Sequence, residues 1–334
     1  MDQPRLLLIA TGGTIAGTAA SALRTQGYAS GALPAAALLQ AVPALAGIAR
    51  IEAEQPYAID SRHLRSEHWL ALARRVRDAQ SDPTLDGVVV AHGTDTLEET
   101  ALWLDLVCPR RLPVAVTGAM RPATAASADG PMNLLCAALL AADPASRGAG
   151  TVVVFDEQVL DPLSAAKAHT TRLGAFVARD AAPIAQVLDG RCRWREPAAQ
   201  AAARRPSLAT RLAVLPAALP RVDLIAAQVD GDPSIVDWAL ERGARGLVVA
   251  GTGHGTMAGD LQQALAAAAA RGCLVVRATR LAGGAVLRNA GVDDDAHGFV
   301  AAGSVTPHKA RAMTCAALAA QLDAAALQSL FDRC

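Results

Sequence analysis

The chain predicts an α/β protein: a larger N-terminal domain built on a mainly parallel sheet, a linker, and a smaller C-terminal α/β domain. Three observations carry this. Uninterrupted aliphatic runs at 6–10 and 88–91 suit strands covered on both faces. Helical patterns separate such runs, and strand–helix alternation is the signature of a parallel sheet. With 334 residues the chain is long enough for two domains and a sizeable core.

The elements follow in order. Strand 6–10 runs into Thr11-Gly12-Gly13-Thr14-Ile15-Ala16-Gly17; helices are expected near 35–40 and over 67–78. Strand 88–91 runs into His92-Gly93-Thr94-Asp95-Thr96 and a helix over 97–107. Strands at 113–116 and 151–155 flank a helix over 131–142. Residues 198–207, rich in alanine, arginine and proline, read as linker within a boundary segment 191–221, which separates domains at 1–190 and 222–334. The second domain has apolar runs at 224–227, 246–250 and 274–276 and ends in helices from 308 onward. The alanine run 264–270 is an ordinary helix, because alanine is the best helix former.

Both threonine-bearing turns sit at carboxyl ends of predicted strands, the edge that holds the ligand crevice in open α/β sheets. Glycine there removes the Cβ that would block close approach. A single Thr-Gly turn would most simply end a strand. Two of them, with Asp95 beside Thr94, point to a hydroxyl nucleophile, which needs a neighbouring base to take its proton.

Composition excludes several classes. Lys+Arg and Asp+Glu are equal at 31 each, so no overall charge draws the chain to nucleic acid or an anionic membrane. No apolar run approaches the roughly 20 residues needed to cross a bilayer, and the start of the chain shows no signal-peptide pattern. The 6 cysteines have no metal-like spacing, and no metal or cofactor is implied. Gly251-Thr252-Gly253-His254-Gly255-Thr256 follows a strand and precedes a helix, but it lacks the full dinucleotide fingerprint, and Arg277 stands where an acidic ribose ligand is expected.

TGGTIAG at 11–17, HGTDTLEETA at 92–101, TGAMRP at 117–122 and SADGPMNL at 127–134 resemble, in order and spacing, the bacterial L-asparaginases, including those with glutaminase activity. The resemblance implies an amidohydrolase acting on a small amino-acid amide. Thr14 matches the family's nucleophile and Tyr28 the tyrosine that activates it. Thr94, Asp95 and Lys167 match a Thr-Lys-Asp group, with Asp95 also contacting substrate. Ser61 matches a residue holding the α-carboxylate, and the Ala119 carbonyl one holding the amide nitrogen. Residue types alone leave open which threonine forms the covalent ester; the resemblance favours Thr14. It also implies a homotetramer, a dimer of dimers. Tyr28 lies in a polar stretch, 25–31, that suits a lid and is expected to stand off when no ligand is held.

Departures from the family pattern concentrate where the substrate's amino-acid end is expected. Arg62 stands where glutamine is usual, Gly291 where glutamate is usual, and His254 and Thr256 interrupt a usual Gly-Asn-Gly-Asn. Arg62 adds a charge favouring a carboxylate. Weaker asparagine affinity or a shifted range, towards L-glutamine, D-asparagine or a related amide, is expected. Periplasmic members carry a disulfide near position 108, and no cysteine lies near 80 to pair with Cys108, which favours the cytoplasm. Two other classes share these features. A tRNA-dependent amidotransferase subunit usually has an N-terminal extension, for which the motif at Thr11 leaves no room. A non-catalytic amino-acid-binding protein is opposed by the retention of Thr14, Tyr28, Thr94, Asp95 and Lys167.

Overall fold

The computed structural model describes residues 3–334, in two compact units that divide between Arg204 and Arg205. The first unit contains β1 (Arg5–Ala10), α1 (Ala35–Gln40), β2 (Arg50–Glu54), α2 (Ser66–Ser81), β3 (Gly87–Ala91), α3 (Leu97–Val107), β4 (Val114–Thr117), α4 (Gly130–Ala142) and β5 (Thr151–Phe155). Five short strands follow, β6 (Gln158–Leu160), β7 (Ala165–Lys167), β8 (Phe176–Ala178), β9 (Ala185–Leu188) and β10 (Arg191–Trp194), and then α5 (Ala198–Arg204).

The main sheet has the order β10-β9-β6-β5-β4-β3-β1-β2. The strands from β5 to β2 are parallel, whereas β6, β9 and β10 extend the sheet antiparallel. Strands β3, β4 and β5 are buried along their whole length, as their aliphatic sequences require for a sheet covered on both faces. On one side α2 and α3 meet through stacked Trp69 and Trp103, 5.6 Å between ring centroids, and Trp69 Nε1 donates to Thr100 Oγ1 at 2.9 Å. On the other, Leu134, Ala137, Ala138 and Ala141 of α4 join Leu6, Leu8 and Val89 in one core. The chain leaves β1 towards β2 on one side and returns as β3 on the other. The β1/β3 boundary is therefore the switch point at which an α/β sheet opens a crevice.

Two expectations change here. Residues 191–204 form β10, paired with β9, and α5. Alanines 198, 201 and 202 of α5 are buried, because spacings of three and four residues put small side chains on one helical face. The irregular chain is the shorter stretch from Arg205 to the strand that begins at Val222, and even there Leu208 and Leu212 are buried.

The second unit contains β11 (Val222–Ala226), α6 (Ser234–Glu241), β12 (Gly246–Gly251), α7 (Gly259–Ala270), β13 (Leu274–Thr279), α8 (Asp294–His297), β14 (Phe299–Ala301), α9 (Pro307–Ala319) and α10 (Ala324–Phe331). Its sheet is wholly parallel, in the order β11-β12-β13-β14. The glycine-rich turn at 251–256 closes on itself through reciprocal backbone bonds of 2.8 Å between Thr252 and Thr256. Arg277 is fully buried and grips Asp294 with Nε and Nη2 at 2.7 and 2.6 Å, while Nη1 donates to His254 O at 2.7 Å. It is a clamp for the loops around it.

Candidate active site

The two glycine turns meet backbone to backbone at the switch point. Gly13 has φ +78°, and a Cβ on it would lie 2.3 Å from Gly93 Cα; one on Gly12, at φ +105°, would lie 2.4 Å from Ile59 O. Only glycine permits this approach, and it brings the threonines of both turns to one cavity. That cavity, of about 200 Å³, is lined by Thr14, Gln26, Gly27, Tyr28, Asp60, Arg62, Thr94, Asp95, Met120, Lys167 and Thr170. It is smaller than the roughly 300–1,000 Å³ that drug-sized ligands occupy, and suits a small metabolite.

Thr14 is buried, and its Oγ1 lies 2.5 Å from Tyr28 OH. The segment carrying Tyr28 does not stand off, in contrast to the sequence expectation. Reciprocal bonds of 3.0 and 2.9 Å tie Ala29 to Thr18, and Gly31 N–H donates to Gly13 O at 3.0 Å. Burial raises the Tyr28 phenol above its ordinary value, and the charges of Asp95 and Asp60 add to the rise against the opposing effects of Thr14 and Arg62. Tyr28 is accordingly a neutral phenol at physiological pH. It can take the Thr14 proton only by passing its own onward.

Lys167 ends β7, outside the main sheet, and its Nζ donates to Thr94 Oγ1 at 2.9 Å and to Asp95 Oδ1 at 2.6 Å. Burial of this pair is partial: the Lys167 side chain is 19% exposed and that of Asp95 55%. An ammonium donating to Thr94 leaves the hydroxyl proton of Thr94 free to point elsewhere in the cavity. Ser61 is buried under Gly93 and accepts from Thr96 Oγ1 through its carbonyl, whereas Arg62 reaches solvent and pairs with Asp60 at 3.3 Å. Ala119 is fully buried in the loop after β4. Thus Thr14, Tyr28, Arg62, Thr94, Asp95 and Lys167 share one cavity, with Ser61 and Ala119 each next in sequence to a lining residue. Gly291, His254 and Thr256 belong to the second unit. Gly291 has φ +78°, a conformation in which a glutamate would be strained.

Sequence reasoning missed the residues that hold these segments. The Asp129 carboxylate accepts from Met120 N–H at 2.8 Å and Arg121 N–H at 2.9 Å, and Asn133 Nδ2 donates to Gly118 O at 3.0 Å, fixing the loop around Ala119. Glu98 Oε2 accepts from Lys167 N–H at 2.8 Å, pinning the strand that presents the lysine. All three lie inside the motifs already singled out, but their partners are backbone groups distant in sequence. Asp60, which caps the turn carrying Ser61, was also missed.

The first unit matches the family model for the asparaginase N-terminal domain over residues 5–200, and the second matches that for the glutaminase/asparaginase C-terminal domain over 221–331. The chain belongs to the asparaginase family. It is 37% identical to L-asparaginase 2 of Escherichia coli over 331 residues, 99% of this chain and 93% of that one. It is also 37% identical to the probable periplasmic L-asparaginase of Haemophilus influenzae over 332 residues, again 99% and 93%. Among solved structures it superposes on the probable cytoplasmic L-asparaginase of Campylobacter jejuni with a TM-score of 0.90 and 33% identity, covering 99% of this chain and 100% of that one. Thr14, Tyr28, Thr94, Asp95 and Lys167, the five residues expected from the resemblance to carry the chemistry, line one cavity.

Proposed function

We propose that this protein hydrolyses the side-chain amide of L-asparagine to L-aspartate and ammonia, with Thr14 as nucleophile. The observation that carries the reading is the 2.5 Å contact between Thr14 and Tyr28, in a cavity that also holds the Thr94-Lys167-Asp95 chain. Thr14 Oγ attacks the amide carbon while its proton moves to Tyr28, which releases its own. The C–N bond breaks as ammonia leaves with a proton, giving a Thr14 ester. Water, positioned by Thr94, then adds to the ester carbon, and the bond from that carbon to Thr14 Oγ breaks, releasing aspartate as Oγ regains a proton. Lys167 orients Thr94 and offsets the charge of Asp95. The oxyanion would be met by backbone N–H groups of the two glycine turns other than that of Gly13, which donates to Ile59 O, each such donor typically contributing about 3 kcal/mol. Ser61, Asp95 and the Ala119 carbonyl hold the amino-acid end and the amide.

We also infer a homotetramer and a cytoplasmic location. None of the six cysteines forms a disulfide, and burial raises the thiols at 136 and 273 to about 11, which leaves those two inert rather than poised for oxidation. No helix among the described residues is long and apolar enough to cross a membrane.

The test is ammonia release from L-asparagine, with L-glutamine, D-asparagine and Thr14→Ala in parallel. Release that falls at least a thousandfold in the variant, on the order expected for loss of a nucleophile, supports the reading. Binding of asparagine without ammonia would leave a binding protein in its place.

A further inference from the structure

Two ion pairs line the cavity beside Thr14 and Tyr28, and they are not equivalent. Lys167 is committed, its ammonium held by Asp95 and Thr94. Arg62 gives only Nε to Asp60 Oδ2, at 3.3 Å, and its side chain is 68% exposed. No hydrogen bond among the described residues engages its two terminal nitrogens. Both oxygens of Asp60 are in use, Oδ2 by that pair and Oδ1 by Arg62 N–H at 3.2 Å. Asp95 has only Oδ2 left, because Oδ1 holds Lys167. The cavity thus offers a guanidinium fork to an anion, and a single uncommitted carboxylate oxygen to a cation. A planar fork matches a carboxylate in two parallel bonds, which Lys167 as a point charge cannot do.

From this asymmetry we infer that Arg62 determines specificity by taking the substrate's free carboxylate, and that the site also accepts ω-monoamides of dicarboxylic acids lacking an α-amino group, of which succinamate is the four-carbon case. This rests on the amidohydrolase reading above and narrows its substrate class. The reaction stays balanced: the amide C–N bond breaks, water supplies oxygen to the carbonyl carbon, and succinate and ammonium leave. Without an ammonium to place, such a substrate needs nothing from Asp60 and keeps the carboxylate contact that binding requires.

The experiment compares kcat/KM for L-asparagine and succinamate in the wild type, Arg62→Gln and Arg62→Lys, with calorimetric binding of succinate in each. Wild-type protein is expected to release ammonia from both amides. Arg62→Gln lowers kcat/KM for succinamate about tenfold or more, the loss of a charge-assisted pair, and lowers that for asparagine less, because Asp60, released from Arg62, becomes an acceptor for the α-ammonium. Arg62→Lys recovers part of the succinamate activity. Wild-type hydrolysis of asparagine with none of succinamate overturns the inference while leaving the amidohydrolase reading intact. So does an equal loss on both substrates in Arg62→Gln, which marks a structural effect only. Silence on both amides removes the amidohydrolase reading, and succinate binding then decides: weakening in Arg62→Gln keeps the role of Arg62, and unchanged affinity ends it.

Discussion

Tyr28 and His92 show how burial sets the proton inventory of this site. Tyr28 stays neutral beside Thr14, so in the proposed reaction it would relay a proton instead of storing a charge. His92 is fully buried in the turn after β3, with Nδ1 2.7 Å from Gly93 O and Nε2 without a partner. The Nδ1–H tautomer donates to that carbonyl and leaves Nε2 a bare acceptor. Burial lowers its pKa from 6.5 to about 4, against the opposing backbone bond. Between those values the unfolded chain binds a proton that the folded one refuses, so folding favoured by the neutral ring is complete above pH ~6.5 and declines as pH falls towards ~4. The full loss is about 3 kcal/mol. His92→Asn, which retains a donor for Gly93 O, should remove this sensitivity. Urea midpoints at about pH 7.5 and about pH 4.5 should show the wild type losing about 2–3 kcal/mol more than the variant; equal losses would assign acid sensitivity to other groups. Thr14, Thr94 and Asp95 were legible in the sequence because they sit within long motifs, whereas Tyr28 and Lys167 lie outside those motifs and were reached only through the resemblance. The sequence hid Glu98, Asp129 and Asn133, because each satisfies backbone groups that only the fold brings near.

At the scale of elements, the long aliphatic strands and amphipathic helices were legible, and the short antiparallel strands were not. Strands β6 to β10 have three or four residues each, too few for an alternating pattern to stand out. The helix α5 was hidden for a different reason. Its alanines and arginines look like solvated linker, and only packing against the first unit reveals which alanines are inside. The two glycine turns were read as places of close approach, and here the physics is sharp. Gly13→Ala would set a Cβ against Gly93 Cα at 2.3 Å, in a backbone with φ +78° that a side chain rarely adopts. Neither partner can yield, since both are main chain in one turn pair. Overlap and strain together should destabilise the first unit by about 3 kcal/mol or more and abolish ammonia release by displacing Thr14 from Thr94. Equilibrium unfolding alongside the activity assay checks this; a variant with wild-type stability and turnover would show that the turns do not hold the threonines in register.

The whole molecule divides its surface unevenly. Of the eleven large apolar side chains exposed among the described residues, seven lie in the second unit, among them Leu224, Val229, Trp238 and Leu287. The chain carries no net charge to keep copies apart, with 31 acidic and 31 basic residues. Single exposed apolar residues are ordinary, but their concentration in the smaller unit favours burial against another copy. Trp238 supports this, because Arg221 and Arg242 lie 5.5 and 4.8 Å from its ring, an arrangement that keeps an exposed indole soluble while leaving it available for a contact. If the proposed tetramer holds, light scattering should give four times the 34.2 kDa of the chain. Closed symmetry makes such an assembly finite, so the mass should stay constant as concentration rises. If assembly completes the working site, activity per chain should fall on dilution together with the mass. A mass of one chain at every concentration, with undiminished activity, would overturn the tetramer and show that the first unit's cavity suffices for turnover.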